Sequence, residues 1–169
     1  MNPTESSPKL IFLLPIYNDW ECLPLLLARV DQSLADQVGD VRVLIVDDGS
    51  DRPAPEDTVP KQLHRIVRVD CLRLRRNLGH QRAIAIGLSH IHEEHPCDAV
   101  LVMDADGEDK PEDAARLVEH WQATGRRQVI FAARIRRSES WIFRVCYFAC
   151  RMPICFVFGG GAVATRFLP

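Results

Sequence analysis

The sequence predicts an α/β fold, a mostly parallel Rossmann-like sheet with helices on both faces. Two short runs of branched and aliphatic residues, KLIFLL (9–14) and VRVLIV (41–46), read as strands buried on both sides. Segments with apolar residues three and four apart follow them, which is the pattern of amphipathic helices. The two kinds of segment alternate along the chain, and that order favours parallel strands joined by crossover helices.

The elements follow in order. The run 9–14 is the first strand, bounded by Pro15. Leu23, Leu26, Leu27, Val30 and Leu34 place a helix over about 20–35. Strand 41–46 stops at Asp47-Asp48-Gly49-Ser50, and a proline-rich loop at 52–60 leads to a third strand near 66–72. A helix over about 80–93 presents Ala83, Ile84, Gly87, Leu88 and Ile91 inward. Ala99–Met103 is a fourth strand with Asp104 at its end. Pro111 suits the first turn of a helix reaching about Trp121, and Val129–Ala133 is a fifth strand.

The 169 residues suit one domain, and 47% hydrophobic with 26% charged residues is an ordinary globular composition. A net charge of −2 predicts no general affinity for nucleic acid. The charge is uneven, however. Six acids and one lysine fall in 104–113, and seven arginines against one glutamate fall in 126–151. Cys22, Cys71, Cys97, Cys146, Cys150 and Cys155 form no CxxC pair, and MNPTESSPK lacks the features of a signal peptide. Free thiols and a cytoplasmic location are expected. His90, His92 and His95 lie where a helix runs out with no cysteine spaced to join them, so no zinc site is expected. The longest apolar stretch, Met152–Ala164, is too short to span a bilayer and holds three consecutive glycines.

Ligands of such sheets bind beyond the carboxyl ends of the strands. Three polar clusters fall there: Pro15–Asp19, Asp47–Asp51 and Asp104–Asp109. In an extended loop, Asp104, Asp106 and Glu108 face one point, where a hard divalent cation would relieve their repulsion. The same residues also fit a solvated acidic loop ahead of a helix, with Asp109 as its cap. Asp47 and Asp48 can accept hydrogen bonds from a nucleobase or ribose, although Asp-Gly is also a common turn signal. Tyr17 offers a face for a base, followed by Asn18 and Asp19, while a strand stop with a helix cap explains the same residues. Arg75-Arg76-Asn77-Leu78-Gly79-His80 precedes a helix, so its arginines and backbone N–H groups can meet a diphosphate or simply start the helix.

In order and spacing, LLPIYND (13–19), VLIVDDGSD (43–51), RRNLGHQRAIAIGL (75–88) and VLVMDADGEDKPED (100–113) resemble the family 2 glycosyltransferases. The likeness covers roughly 9–135. Within the family the chain looks like the dolichyl- or undecaprenyl-phosphate sugar transferases, whose metal loop reads DADLQDPPE where this one reads DADGEDKPE. The resemblance implies a GT-A fold, a UDP- or GDP-sugar donor, Mg²⁺ or Mn²⁺, inversion at the anomeric carbon and a polyprenyl phosphate acceptor. It implies that Pro15, Tyr17 and Asp19 line the nucleoside pocket and that Asp48 contacts the base with Asp47 in support. Arg76 would meet the diphosphate. Asp104 and Asp106 are the implied catalytic pair, and Asp104, Asp106 and Glu108 the implied metal ligands. Glu108 stands where the branch has glutamine and Asp19 where glutamate is commoner.

Beyond residue 135 a basic amphipathic segment follows, with Arg137, Arg144 and Arg151 seven apart beside Trp141, Ile142, Val145 and Phe148. Over 137–151 it suits either a helix at a membrane interface, which would place the chain at the cytoplasmic face, or one docked on protein. Family catalytic domains continue further, so the sheet domain reads as C-terminally short and a donor-binding fragment without transfer activity is an alternative. LIVDDGS also resembles the acid pair of phospho-receiver signalling domains. There the pair follows the first strand, whereas here KLIFLLPIYN precedes it.

Overall fold

The computed structural model describes residues 8–35, 39–106, 109–126 and 128–132. Its elements are β1 (Lys9–Ile16), a 3-10 turn (Trp20–Cys22), α1 (Leu23–Ser33), β2 (Asp40–Asp47), β3 (Ile66–Arg73), α2 (His80–Glu94), β4 (Ala99–Val102) and α3 (Pro111–Ala123). The chain divides into two compact units, Met1–Arg116 and Leu117–Pro169. The first holds a four-stranded sheet in the order β3-β2-β1-β4, with every neighbouring pair parallel.

The strands β1 and β2 sit in the middle, and their alternation sorts side chains to two cores. Phe12, Leu14, Ile16, Val41, Val43 and Ile45 pack with Leu23, Leu27 and Val30 of α1 and Ala114 of α3. Ile11, Leu13, Leu44 and Val46 pack on the other face with Ala83 and Ile91 of α2. Helices therefore cover both faces, as the unbroken apolar runs predict. Each fully buried aliphatic side chain contributes about 1.5–3 kcal/mol.

The helix α2 lies unusually close to the sheet at Gly87. A Cβ there would sit 2.5 Å from Leu13 Cδ1 and 2.8 Å from Val46 Cγ2. Alanine would raise helix propensity by about 1 kcal/mol but overpack the core by about 1–3 kcal/mol. Gly87→Ala is expected to lower stability by up to about 2 kcal/mol, measured by thermal unfolding.

Three details depart from the sequence reading. β1 does not stop before Pro15 but runs through it, opposite Val46, to Ile16. The Leu13 carbonyl accepts from Met103 N–H, while the Ile16 carbonyl accepts from Asp48 N–H. Strand alternation then turns Pro15 toward the β4 side, where β4 has already ended at Val102, so its missing N–H leaves no ladder bond unmade. The first helix opens as a 3-10 turn, and Asp19 makes no side-chain cap there. The strand expected at Val129–Ala133 is reduced, within 128–132, to an isolated bridge at Ile130. Val129 and Phe131 are 46% and 59% exposed, so the run lacks the covered faces of a buried strand. Ala133 and the domain boundary expected at 135/136 lie outside the described residues.

In the second unit α3 ends with Gly125 at φ +77° and Arg126 N–H donating to Trp121 O at 3.0 Å. That is a glycine-terminated helix end. No helix among the described residues is long and apolar enough to cross a membrane. The basic segment 137–151 lies outside them.

Candidate functional site

Parallel pairing brings the C-terminal ends of β1, β2 and β4 to one rim. An open cleft of about 200 Å³ lies there, lined by Pro15, Ile16, Tyr17, Asp19, Asp48, His80, Ala83, Asp104, Ala105 and Asp106. Segments separated by more than eighty residues thus meet at one site, as the positions of the three polar clusters predict.

The loop after β1 is stitched to the loop after β2. Asn18 adopts a left-handed conformation at φ +64°. Its N–H donates to Ser50 Oγ at 2.8 Å, and its side-chain oxygen accepts from Asp51 N–H at 3.0 Å. The Tyr17 hydroxyl donates to Asp51 Oδ2 at 3.2 Å, and Trp20 Nε1 donates to Arg52 O at 3.1 Å. Tyr17 remains 40% exposed at the cleft. Its ring is held by one end and free to meet a flat ligand.

Asp47 and Asp48 are both buried, and their roles differ. Asp47 Oδ1 accepts from Ser50 N–H at 2.8 Å, and its Oδ2 lies 3.3 Å from Arg73 Nε. It closes the turn and does not line the cleft. Asp48 lines the cleft, while its Oδ1 and Oδ2 accept from the N–H groups of Leu78 and Gly79 at 2.7 and 2.8 Å. Those N–H groups, expected to meet a diphosphate, point instead at a carboxylate. Arg76 is exposed and does not line the cleft.

Asp104 follows β4, and its N–H donates to Asp109 Oδ2 at 3.1 Å. Asp104 and Asp106 both line the cleft, with buried Ala105 between them. Glu108 lies outside the described residues, and among those described no three His, Cys, Asp or Glu side chains gather around one point. Two carboxylates on one open cleft still fit Mg²⁺ or Mn²⁺, which take oxygen ligands and keep places for water and substrate phosphates.

Sequence reasoning passed over His80, which opens α2 and reaches Asp104 Oδ1 with Nε2 at 3.4 Å. The available signal was topological, since the loop after β3 ends at the same rim as the other strands.

The model of glycosyl transferase family 2 matches residues 12–162. The chain is 34% identical over 115 residues to an undecaprenyl-phosphate 4-deoxy-4-formamido-L-arabinose transferase of Erwinia tasmaniensis, covering 68% of this chain and 34% of that protein. It is 32% identical over 136 residues to the transferase of the same name from Klebsiella pneumoniae, covering 80% and 39%. The chain therefore spans between a third and two fifths of the length of these relatives. The family match takes in far more than half of the sequence and all four motif segments, and on that ground the chain belongs to glycosyl transferase family 2.

Proposed function

We propose that the cleft binds a UDP- or GDP-sugar together with Mg²⁺ or Mn²⁺, for transfer of the sugar with inversion to a polyprenyl phosphate at a membrane face. The observation that carries this reading is the convergence of Tyr17, Asp48, Asp104 and Asp106 on one cleft from three strand ends. The names of the relatives support the acceptor class, since each is an undecaprenyl-phosphate 4-deoxy-4-formamido-L-arabinose transferase.

In this reading Tyr17 and Asp19 flank the nucleoside, and Asp104 and Asp106 hold the cation against the diphosphate, with Glu108 as a further ligand. A divalent cation there would neutralise charge developing on the departing nucleoside diphosphate. A phosphate acceptor is already ionised at neutral pH, so no strong protein base is needed to activate it.

Calorimetry of the chain with UDP-glucose, GDP-mannose and UDP-GlcNAc, with and without Mn²⁺, tests the proposal. At least one donor is expected to bind in a metal-dependent way. Asp106→Ala is expected to weaken that binding tenfold or more, about 1.4 kcal/mol. Failure of every donor to bind overturns the reading. Incubation with polyprenyl phosphate then separates transfer from donor binding alone.

A further inference from the structure

We propose that Asp51 is a positioning residue for nucleotide binding: its carboxylate holds the Tyr17 ring at the cleft wall, set for a base before any ligand arrives. The proposal rests on the reading of the cleft as a nucleotide-sugar site, and it assigns a role to a side chain which that reading leaves unused.

Tyr17 lines the cleft and is 40% exposed. Asp51 is exposed too, but it is not among the residues that line the cleft. It therefore reaches a bound ligand through Tyr17 rather than by contact. The Tyr17 hydroxyl donates to Asp51 Oδ2 at 3.2 Å. That carboxylate is itself held. Asn18 Nδ2 donates to the same oxygen at 3.3 Å, and Asp51 N–H donates to Asn18 Oδ1 at 3.0 Å, so the two residues close a ring. Asn18 is fixed in turn by its N–H on Ser50 Oγ at 2.8 Å. Ser50 is buried, with its own N–H on Asp47 Oδ1 at 2.8 Å. Through Asp51, the exposed ring is tied to a buried turn at the end of β2.

An exposed tyrosine on a loop samples several rotamers, and ordering such a side chain at the moment of binding lowers affinity about twofold to tenfold. The bond to Asp51 moves that ordering from binding into folding. It engages the hydroxyl at the edge of the ring and leaves the face for a base. A ring held at Cβ and again at its far end does not swing away from the cleft. If Asp51 only joined the two loops, removing the Tyr17 hydroxyl would leave nucleotide affinity unchanged, because the bonds between Asn18 and Asp51 would persist.

The experiment measures UDP and GDP binding by calorimetry in the unaltered chain, Tyr17→Phe, Asp51→Ala, Asp51→Asn and the double variant Tyr17→Phe with Asp51→Ala. We expect Tyr17→Phe and Asp51→Ala each to weaken nucleotide binding about threefold to tenfold. The double variant should bind no more weakly than the weaker single one, since both remove the same bond. Asparagine keeps one oxygen, which is all that Tyr17 and Asn18 use, and should restore affinity to within about twofold. Tyr17→Phe leaves the Asn18 bonds in place, so its result stands even if Asp51→Ala melts at a lower temperature. Unchanged affinity in Tyr17→Phe overturns the proposal. So do single losses that multiply in the double variant, which would mean that Asp51 acts independently of Tyr17. A loss in Asp51→Ala that asparagine leaves unrestored overturns it as well. An unaltered chain that binds neither nucleotide overturns the nucleotide reading of the cleft, and the positioning role with it.

Discussion

Asp31→Ala is expected to destabilise the protein by about 3–5 kcal/mol, more than any single truncation at the cleft rim. Asp31 lies on α1 and is 6% exposed. Its Oδ1 accepts from the N–H groups of Arg65 and Ile66 at 2.7 and 2.8 Å, and its Oδ2 from His64 N–H at 2.8 Å. These are the residues that lead the loop from β2 into β3, so one carboxylate sets where the outer strand begins. Arg65 also reaches back to the Ala35 carbonyl just beyond α1. Alanine would leave three donors without acceptors, each costing about 1–3 kcal/mol where water cannot enter. The loss falls below the full sum because the His64 and Arg65 groups are only partly covered. Asparagine keeps an oxygen for two of the donors and sets its amide against the third, so about half the loss is expected. Urea unfolding at neutral pH would measure both, with the midpoint falling at constant slope.

The same carboxylate gives acid sensitivity of defined sign. Burial on its own would raise the Asp31 pKa, but the hydrogen bonds from His64, Ile66 and Arg65 and the charge of His64 outweigh it. They hold the carboxyl below its ordinary value of 3.8. The unfolded chain then takes up the proton more readily than the folded one. The contribution of Asp31 is complete above that ordinary value and is lost as pH falls through the lower folded value. In Asp31→Asn this part of the acid destabilisation should be absent. An Asn variant that follows the unaltered chain across that range would show that Asp31 is not its source.

Asp31 also marks where sequence reading reached its limit. The frame was legible because the apolar runs of β1 and β2 and the helical stripes of α1 and α2 are local patterns, and strand parallelism then takes three polar clusters to one rim. Asp31 stands four residues after Leu27 and next to Val30, on the apolar face of α1. An acid on that face was the signal. Its partners are backbone groups more than thirty residues away, which no periodicity reveals. Asp48 is similar. The strand-end position identified it as a cleft residue, but its grip on Leu78 and Gly79 depends on how the loop after β3 folds back. His80 became visible only once that fold-back was known. The described part of the expected strand, 129–132, departed in the opposite direction, because β propensity says what suits a covered strand but does not supply the cover.

Gly49→Ala is the second large effect, an expected loss of about 3–4 kcal/mol of stability, and of the donor binding proposed for the cleft. Gly49 sits at φ +75°, where a residue with a Cβ is strained by about 1–2 kcal/mol. Strain is the smaller part. An added Cβ would lie 2.5 Å from the Arg76 carbonyl carbon and 2.7 Å from both Arg76 Cα and Asn77 N. All three are backbone atoms, so no side-chain rotation relieves the contact. The loop would have to move, yet Leu74 N–H is bonded to Asp47 O at 2.8 Å and Leu78 and Gly79 to Asp48. Pushing it away breaks those bonds and carries His80 off Asp104. Gly125 supplies the control, for it has nearly the same φ, +77°, and nothing among the described residues within 4 Å of its added Cβ. Gly125→Ala should therefore show backbone strain alone, about 1–2 kcal/mol. The difference between the two variants in urea unfolding reads the crowding at Gly49. Equal losses would mean that the loop yields without strain, and the cleft would then have no rigid connection between the end of β2 and the start of α2.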